Sequence, residues 1–389
     1  MEKLVTSNLK LGVIAGGQLG KMLIQEASKW DIASYVLDTD DHSPASRIAA
    51  VFINGDNTNY DDVYQFGKKV DVLTFEIENV NMEALLRLKQ EQVNIFPDPE
   101  VLQMIKDKGL QKRFYQNHNI PTAAFQILRD RESVIQSVSE GKLQFPFVQK
   151  LCKGGYDGRG VNMINNKDDL QNLFEGESVV EQKVAVQKEI AVIGARNQKG
   201  EVKTFPAVEM VFDPKANLVD HLICPSGIDK ALAEKADKIT VKLLENLHYT
   251  GLLAVEFFVD ANQQLMVNEI APRPHNSGHH TIEGVITSQY EQHLRGILNL
   301  PLGSTHLKMP VVMINLLGEE GYHGPVKYEG LTESMAIEGV KIHIYGKKIT
   351  WPKRKMGHVT VMDSHLEKAI EKAEKVKQTI KVKAWKNQV

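Results

Sequence analysis

Apolar strand-length runs alternate with helical periodicity over the first hundred residues. Leu9-Lys-Leu-Gly-Val-Ile14 reads as a buried strand, and Ala15-Gly-Gly-Gln-Leu-Gly20 as a turn. Residues 21–30 then repeat with helical spacing, and residues 33–37 form a second strand that ends at Asp38. The pattern continues through a short strand at 51–53, a helix at 60–68, a strand at 70–75 and a helix at 82–92. Such alternation predicts a parallel sheet covered on both faces, with ligands beyond the carboxyl ends of its strands. Gln18, Glu76 and Glu78 fall at those ends. The first turn nearly matches a dinucleotide fingerprint, with Ala15 in place of the first glycine. It reads either as a tight packing turn or as a phosphate seat at a helix N-terminus.

Pro97 and Pro99 interrupt this pattern, and residues 100–117 read as one helix. Short strands at 124–128, 147–150, 161–164, 178–181 and 188–193, with a helix at 132–140, predict an antiparallel α+β unit over about 120–195. Residues 201–224 are β-rich, residues 229–247 form an amphipathic helix, and residues 252–260 and 264–270 form a strand pair. A helix at 288–298 closes at Pro301. The remainder carries its own strands at 311–316, 341–345 and 358–362 and a Lys/Glu-rich terminal helix.

With 389 residues the chain has room for two or three domains. Its net charge of −2 argues against a dedicated nucleic-acid binder but leaves small phosphorylated ligands open. Cys152 and Cys224 are too few for a disulfide framework. No signal segment or membrane-length apolar run is visible, so a cytoplasmic location is expected.

Two stretches carry the chemistry. The first is Phe147-Val-Gln-Lys-Leu-Cys-Lys-Gly-Gly-Tyr-Asp-Gly-Arg-Gly-Val161, in which a strand delivers Lys150 to a glycine-rich loop. Glycines let backbone N–H groups approach phosphate oxygens, and a lysine supplies a point charge. A plain hairpin turn is the alternative. The second is the pair Glu256 and Glu269, each between apolar neighbours on successive strands, with Asn268 beside them. A buried carboxylate needs a partner, and no arginine alternates with these two. Oxygen ligands near phosphates suit Mg²⁺; pairing with distant lysines is the alternative.

With Glu189 added, these residues outline a nucleotide site that has no Walker P-loop. The chain resembles the ATP-grasp superfamily and, within it, the 5-(carboxyamino)imidazole ribonucleotide synthase family. The resemblance rests on Gly16-Gly-Gln-Leu-Gly-Lys-Met22, Lys150, Gly154-Gly-Tyr-Asp-Gly-Arg-Gly160, Glu181 with Glu189, Asn268-Glu-Ile-Ala-Pro-Arg-Pro-His-Asn-Ser-Gly-His279 and Arg354-Lys-Met-Gly-His358. These segments span essentially the whole chain.

The resemblance implies a mixed α/β and α+β ATP-grasp fold. Its parts would be a Rossmann-like domain at 1–107, an ATP-grasp domain at 108–299 with a lid at about 120–195, and a small β-rich domain at 300–389. It also implies ATP-dependent carboxylation of aminoimidazole ribonucleotide by bicarbonate in purine biosynthesis. The cofactors would be ATP and one or two Mg²⁺ ions, with Mn²⁺ as a substitute, and the assembly a homodimer.

By the same resemblance, Lys108 and Lys150 meet the ATP phosphates, and Gly155, Tyr156, Asp157, Gly158, Arg159, Gly160 and Val161 form a flap over them. Glu181, Gln182, Lys183 and Val184 line the adenine, and Glu189 holds the ribose. Glu256 and Glu269 hold the metal beside Asn268. Gln18, Glu76, Tyr156, Asp157, Arg273, Lys348, Arg354 and Lys355 meet the acceptor nucleotide. Arg273, His275 and Asn276 meet bicarbonate, and Asp157 or His275 handles the amine proton.

Ala15, Lys108 (where arginine is common) and Phe212 (near a family histidine) depart from the pattern. The competing readings are another ATP-grasp ligase, such as a formate-dependent glycinamide ribonucleotide transformylase or biotin carboxylase, an NAD(P)-dependent oxidoreductase, and a non-catalytic nucleotide sensor.

Overall fold

The computed structural model describes residues 6–155, 160–213 and 218–385. Strands β1 (Lys10–Ile14), β2 (Ala33–Asp38), β3 (Val51–Asn54), β4 (Val72–Phe75) and β5 (Asn94–Ile95) form one parallel sheet in the order β3-β2-β1-β4-β5. Helices α1 (Gln18–Ser28), α2 (Tyr60–Gly67) and α3 (Met82–Gln90) cross between them. β1 is apolar on both faces, as a strand buried between helix layers must be, and Leu11, Val13 and Ile14 are fully enclosed.

The glycine turn explains one departure from the fingerprint. Ala15 has φ +70°, the left-handed region where an L side chain costs roughly 1–2 kcal/mol and glycine almost nothing. Ala15→Gly is therefore expected to stabilise the first domain by about 1 kcal/mol after glycine's extra unfolded-state entropy is subtracted. Calorimetry checks this as an upward shift of the first unfolding transition.

Residues 100–117 do not form one helix. α4 (Pro99–Lys106) and α5 (Lys108–Asn117) meet at Asp107, whose backbone is extended and whose carboxylate accepts from Leu110 N–H at 3.0 Å. The N-cap bond restarts the helix, and Lys108 N–H, freed from the earlier turn, donates to Cys152 O. This break brings Lys108 beside the end of the lid strand.

The lid is a four-stranded antiparallel sheet. It comprises β6 (Phe125–Leu128), β7 (Phe147–Leu151), β8 (Val161–Ile164) and β9 (Ser178–Gln182), in the order β6-β9-β7-β8, and carries helix α6 (Arg131–Ser139). The glycine loop joins β7 to β8, so it is a hairpin connection whatever else it does.

A nine-stranded sheet follows. Its first members are β10 (Val186–Arg196), β11 (Val202–Thr204), β12 (Val208–Asp213), β13 (Leu218–Cys224), β14 (Gly251–Asp260), β15 (Leu265–Ala271) and β16 (Val311–Leu317). Helices α7 (Lys230–Asn246), α8 (Thr281–Gly284) and α9 (Gln289–Ile297) lie along this stretch. The chain ends with β17 (Gly324–Glu329), α10 (Leu331–Met335), β18 (Val340–Ile344), β19 (Ile349–Thr350), β20 (Lys355–Met362), α11 (Leu366–Thr379) and β21 (Lys381–Ala384).

The strands after residue 300 do not stand apart, as the sequence suggested. β16 pairs with β13, β20 with β16 and β18 with β20, so the large sheet runs straight across the expected boundary. Of the described strands after residue 300, β17, β19 and β21 make a small separate sheet. α9 also crosses a boundary: Tyr290, Leu294 and Ile297 pack into the core of the first domain with Leu11, Leu19 and Leu23. All three parts thus share buried apolar surface around one junction.

Candidate active site

Strand register builds the site's floor. Glu256 on β14 sits directly opposite Glu269 on β15, and Glu189 on β10 opposes Phe258, two residues along β14. Side chains two apart share a face, so the three carboxylates form a row on one side of the sheet.

After the Glu256–Glu269 pair the register shifts, and Phe257 faces Val267. Asn268 is the extra residue of this bulge. A bulge re-aims side chains, which lets the consecutive residues Asn268 and Glu269 both serve the same site. Asn268 Oδ1 accepts from Lys150 Nζ at 3.2 Å, and Glu269 Oε2 lies 3.4 Å from Lys108 Nζ.

Burial and like charges dominate this row. Burial, then the charges of Glu269 and Glu189, push the Glu256 carboxyl up to about 8. Burial and the charge of Glu269 push Glu189 up to about 7. Carboxyls so placed are short of a cation. Among the described residues no group of three or more His, Cys, Asp or Glu is placed to hold a metal ion, and the oxygen donors on this face are those of Glu256, Glu269 and Asn268.

The lid contributes Lys150 from β7. Its ammonium pairs with Glu181 Oε2 at 2.7 Å, and the other oxygen of that carboxylate pairs with Lys112. Both Glu181 and Lys112 side chains are almost fully enclosed. The Glu181 side chain is therefore committed to lysines. Next to it, Gln182 and Lys183 donate their backbone N–H groups to Ala124 O and Pro146 O, and Val184 lies in the middle of the loop into β10. Gly155, Gly160 and Val161 flank the flap. Tyr156, Asp157, Gly158 and Arg159 lie outside the described residues.

The segment after β15 supplies the third wall. Arg273 Nε donates to Glu78 Oε1 at 2.8 Å, joining this segment to the end of β4. His275 lies with Nε2 3.6 Å from Glu256 Oε1 and Nδ1 2.8 Å from Ser277 Oγ. Burial, with the charges of Arg273 and Lys355, lowers its pKa to about 3. Burial thus favours the neutral imidazole, with Nε2 beside the Glu256 carboxyl. Asn276 Nδ2 donates to Asn315 Oδ1 at 3.0 Å on β16. His279 stacks on His358 at 4.6 Å, and His358 stacks on His343 at 4.3 Å, which locks the segment to β20 and β18.

The first domain closes the site differently from the phosphate-seat reading. Gly17 and Gly20 at the start of α1 donate to the two oxygens of Glu76. A Cβ at Gly17 would lie 2.2 Å from Glu76 Oε1, so only glycine admits this approach. Gly16 N–H donates to Asp38 Oδ2 at 2.6 Å. The helix N-terminus thus holds the protein's own carboxylate, and Asp38 is engaged by the turn, which removes the two features that suggested a nicotinamide site. Burial pushes Glu76 up to about 7 against those two N–H bonds. Gln18, the first residue of α1, is half-buried beside this turn.

Among the basic residues, Lys348 is exposed and Lys347 is the inward one. Lys347 Nζ donates to Lys355 O at 2.8 Å. Burial, then the neighbouring charge of Arg354, lowers its pKa to about 8, with Glu76 pulling the other way. Arg354 stacks on Trp351 at 3.8 Å, and the charge of Lys355 acts on both Glu256 and His275. Lys347, Glu78 and Lys112 are the participants that sequence reasoning left unassigned. Glu78 had the signal of a strand end, and Lys112 that of sharing a helical face with Lys108 and buried Tyr115.

Three family models match this chain: the ribonucleotide synthetase preATP-grasp domain over residues 9–106, the ATP-grasp domain over 113–290 and the phosphoribosylaminoimidazole carboxylase C-terminal domain over 311–372. The N5-carboxyaminoimidazole ribonucleotide synthase of Bacillus subtilis (strain 168) is 35% identical over 356 residues, covering 90% of this chain and 91% of that protein. The crystal structure of N5-carboxyaminoimidazole ribonucleotide synthetase from Thermotoga maritima superposes with a TM-score of 0.89 at 43% identity, covering 97% and 100% of the two chains. The enzyme from Aspergillus clavatus, in complex with ADP and 5-aminoimidazole ribonucleotide, superposes with a TM-score of 0.88 at 31% identity, covering 96% and 99%. The carboxylate row, the lysines facing it and these likenesses agree: the chain belongs to the N5-carboxyaminoimidazole ribonucleotide synthase family of ATP-grasp enzymes.

Proposed function

We propose that the residues gathered at this junction carry out the family's reaction in the following roles. The chain is an ATP-dependent carbon–nitrogen ligase that carboxylates 5-aminoimidazole ribonucleotide with bicarbonate, releasing ADP and phosphate, in purine biosynthesis. The observation that carries the assignment of roles is the cross-strand pair of Glu256 and Glu269 faced by Lys150 and Lys108.

Glu256 and Glu269 would hold Mg²⁺, with Asn268 beside them. One or two ions fit this reading, and Mn²⁺ would substitute. A bound ion would act there as a Lewis acid toward the phosphoryl group. Lys108 and Lys150 bind the nucleotide phosphates, and stabilising charge on the transferring phosphoryl group is most of what such a step requires. Glu189 accepts from the ribose hydroxyls, and the backbone of residues 181–184 lines the base, the Glu181 side chain being taken up by Lys112 and Lys150. Arg273 and Asn276 orient bicarbonate for attack on the γ-phosphorus, and neutral His275 serves as a hydrogen-bond partner.

The proton of the acceptor amine then falls to Asp157 or His275. Lys347, Lys348, Arg354 and Lys355 meet the acceptor's phosphate, while Gln18, Glu76 and Tyr156 orient the rest of it. The flap excludes water, because carboxyphosphate, or CO₂ released from it, must meet the amine first. A homodimer in the cytoplasm completes the assignment, and analytical ultracentrifugation tests the dimer.

Proton linkage tests the metal site. Below about 8 Glu256 keeps a proton that a cation must displace. Mg·ADP affinity is therefore expected to rise by up to about tenfold per pH unit between pH 6 and 8 and to level off above. Calorimetric titration across pH should show this slope, and Glu256→Gln should remove it together with most of the affinity. A flat profile in the wild-type protein contradicts the assignment.

A further inference from the structure

The lid lysine shares a carboxylate with a second lysine, whose side chain is almost fully enclosed. Glu181 is held between two ammonium groups, Lys150 Nζ at 2.7 Å and Lys112 Nζ, with about 5% of its side chain exposed. Lys112 is equally enclosed. It also touches Thr122 Oγ1, which donates to Val267 O at 2.7 Å, and lies against the rings of Tyr115 and Phe125 at 5.6 and 5.9 Å. This is an expensive place for an ammonium, since a buried charge is retained at a cost of several kcal/mol unless it is paired.

Charge counting gives the arrangement a purpose. One carboxylate between two ammoniums leaves a net single positive charge, and of the two cations only Lys150 faces Asn268 and the carboxylate row. We propose that Lys112 is a positioning residue that neutralises Glu181, so that Lys150 holds its place on that carboxylate while presenting an uncompensated positive charge to the nucleotide phosphates. Without Lys112, Lys150 and Glu181 would close into a neutral pair, and phosphate would have to compete with an enclosed carboxylate for the same ammonium. Thr122 ties the ammonium to the strand residue next to Asn268, so the same group sets the lid lysine's distance from the metal strand. The inference rests on the reading that Lys150 meets phosphate.

Calorimetric titration of Mg·ADP into four purified variants tests it. Lys150→Met should weaken binding by about 10–100-fold, the range for losing one charge-assisted hydrogen bond. Unchanged binding in that variant refutes the reading of Lys150 itself and leaves the role of Lys112 without a target. Lys112→Met should weaken binding by a similar factor, and Lys112→Met combined with Glu181→Gln should recover to within about threefold of the wild type, because the single charge on Lys150 returns. A purely structural lysine would give no such recovery. A double variant as weak as Lys112→Met, or a Lys112→Met variant that binds normally, overturns the proposal. Should Lys112→Met fail to fold, Lys112→Arg decides: retained charge should keep binding within about threefold, and a folded Lys112→Arg protein with tenfold weaker binding overturns the proposal.

Discussion

Glu269→Gln is expected to lower turnover of Mg·ATP by about 10³-fold, with the protein still folded. The residue is half-exposed on β15 and its contact with Lys108, at 3.4 Å, is loose, so its loss removes little from the folded state. The geometry instead sets its carboxylate opposite Glu256, where two acidic groups on neighbouring strands repel unless a cation lies between them. An amide keeps the shape and one oxygen but cannot supply charge to a divalent ion, and losing one electrostatic contact to a transferring phosphoryl group costs about 10²–10³-fold in comparable sites. Steady-state kinetics and thermal melts on the same preparation separate the two effects. Activity within tenfold of the wild type would end the metal assignment.

The second large effect concerns the acceptor. Lys347→Ala is expected to raise KM for aminoimidazole ribonucleotide by about 10–100-fold, the worth of one charge-assisted hydrogen bond, with kcat changed less. Lys348→Ala should cost less than Lys347→Ala, since Lys348 is exposed while Lys347 lies beside Lys355 and Arg354 and within the field of Glu76. The sign of the pH dependence follows from the same burial. Lys347 is a cation below about 8 and loses its charge above, so acceptor affinity should fall as pH rises through that value. Loss of this fall in Lys347→Ala, measured by KM against pH, identifies the lysine. Equal KM effects from the two substitutions would assign the role to neither alone.

Much of this site could be read from residue order because it follows from strand and helix periods. The apolar runs around Glu256 and Glu269 place both on buried strands, and an antiparallel pairing puts them on one face. Simple alternation, however, turns Asn268 away from Glu269. The bulge that returns it depends on which residue of β15 is left without a partner on β14, and no local pattern in the chain records that.

Lys347 and Lys348 show the same limit. Adjacent lysines between β18 and the two-residue strand β19 have no period to say which one faces inward. Lys112 was hidden for another reason, because a lysine between polar helix neighbours reads as solvated until Glu181 arrives from a strand 69 positions later. The break at Asp107 replaced one expected helix by two, since a side-chain cap outweighed helical periodicity that continued on both sides. The joining of the strands after residue 300 to the large sheet is a long-range pairing, and composition gave no indication of it.

Ala15 is the converse case. The fingerprint position was legible, and the left-handed backbone found there accounts for the glycine that the pattern expects. What the turn cradles was not legible, because Glu76 reaches it from a different strand.

Release of ADP from Mg·ATP, followed in a coupled assay with each substrate omitted in turn, tests the whole account. Rapid release is expected only when bicarbonate and 5-aminoimidazole ribonucleotide are present together, with the carboxylated ribonucleotide formed in equal amount. Release that is indifferent to the ribonucleotide, or that formate or a biotin acceptor supports equally well, would contradict it.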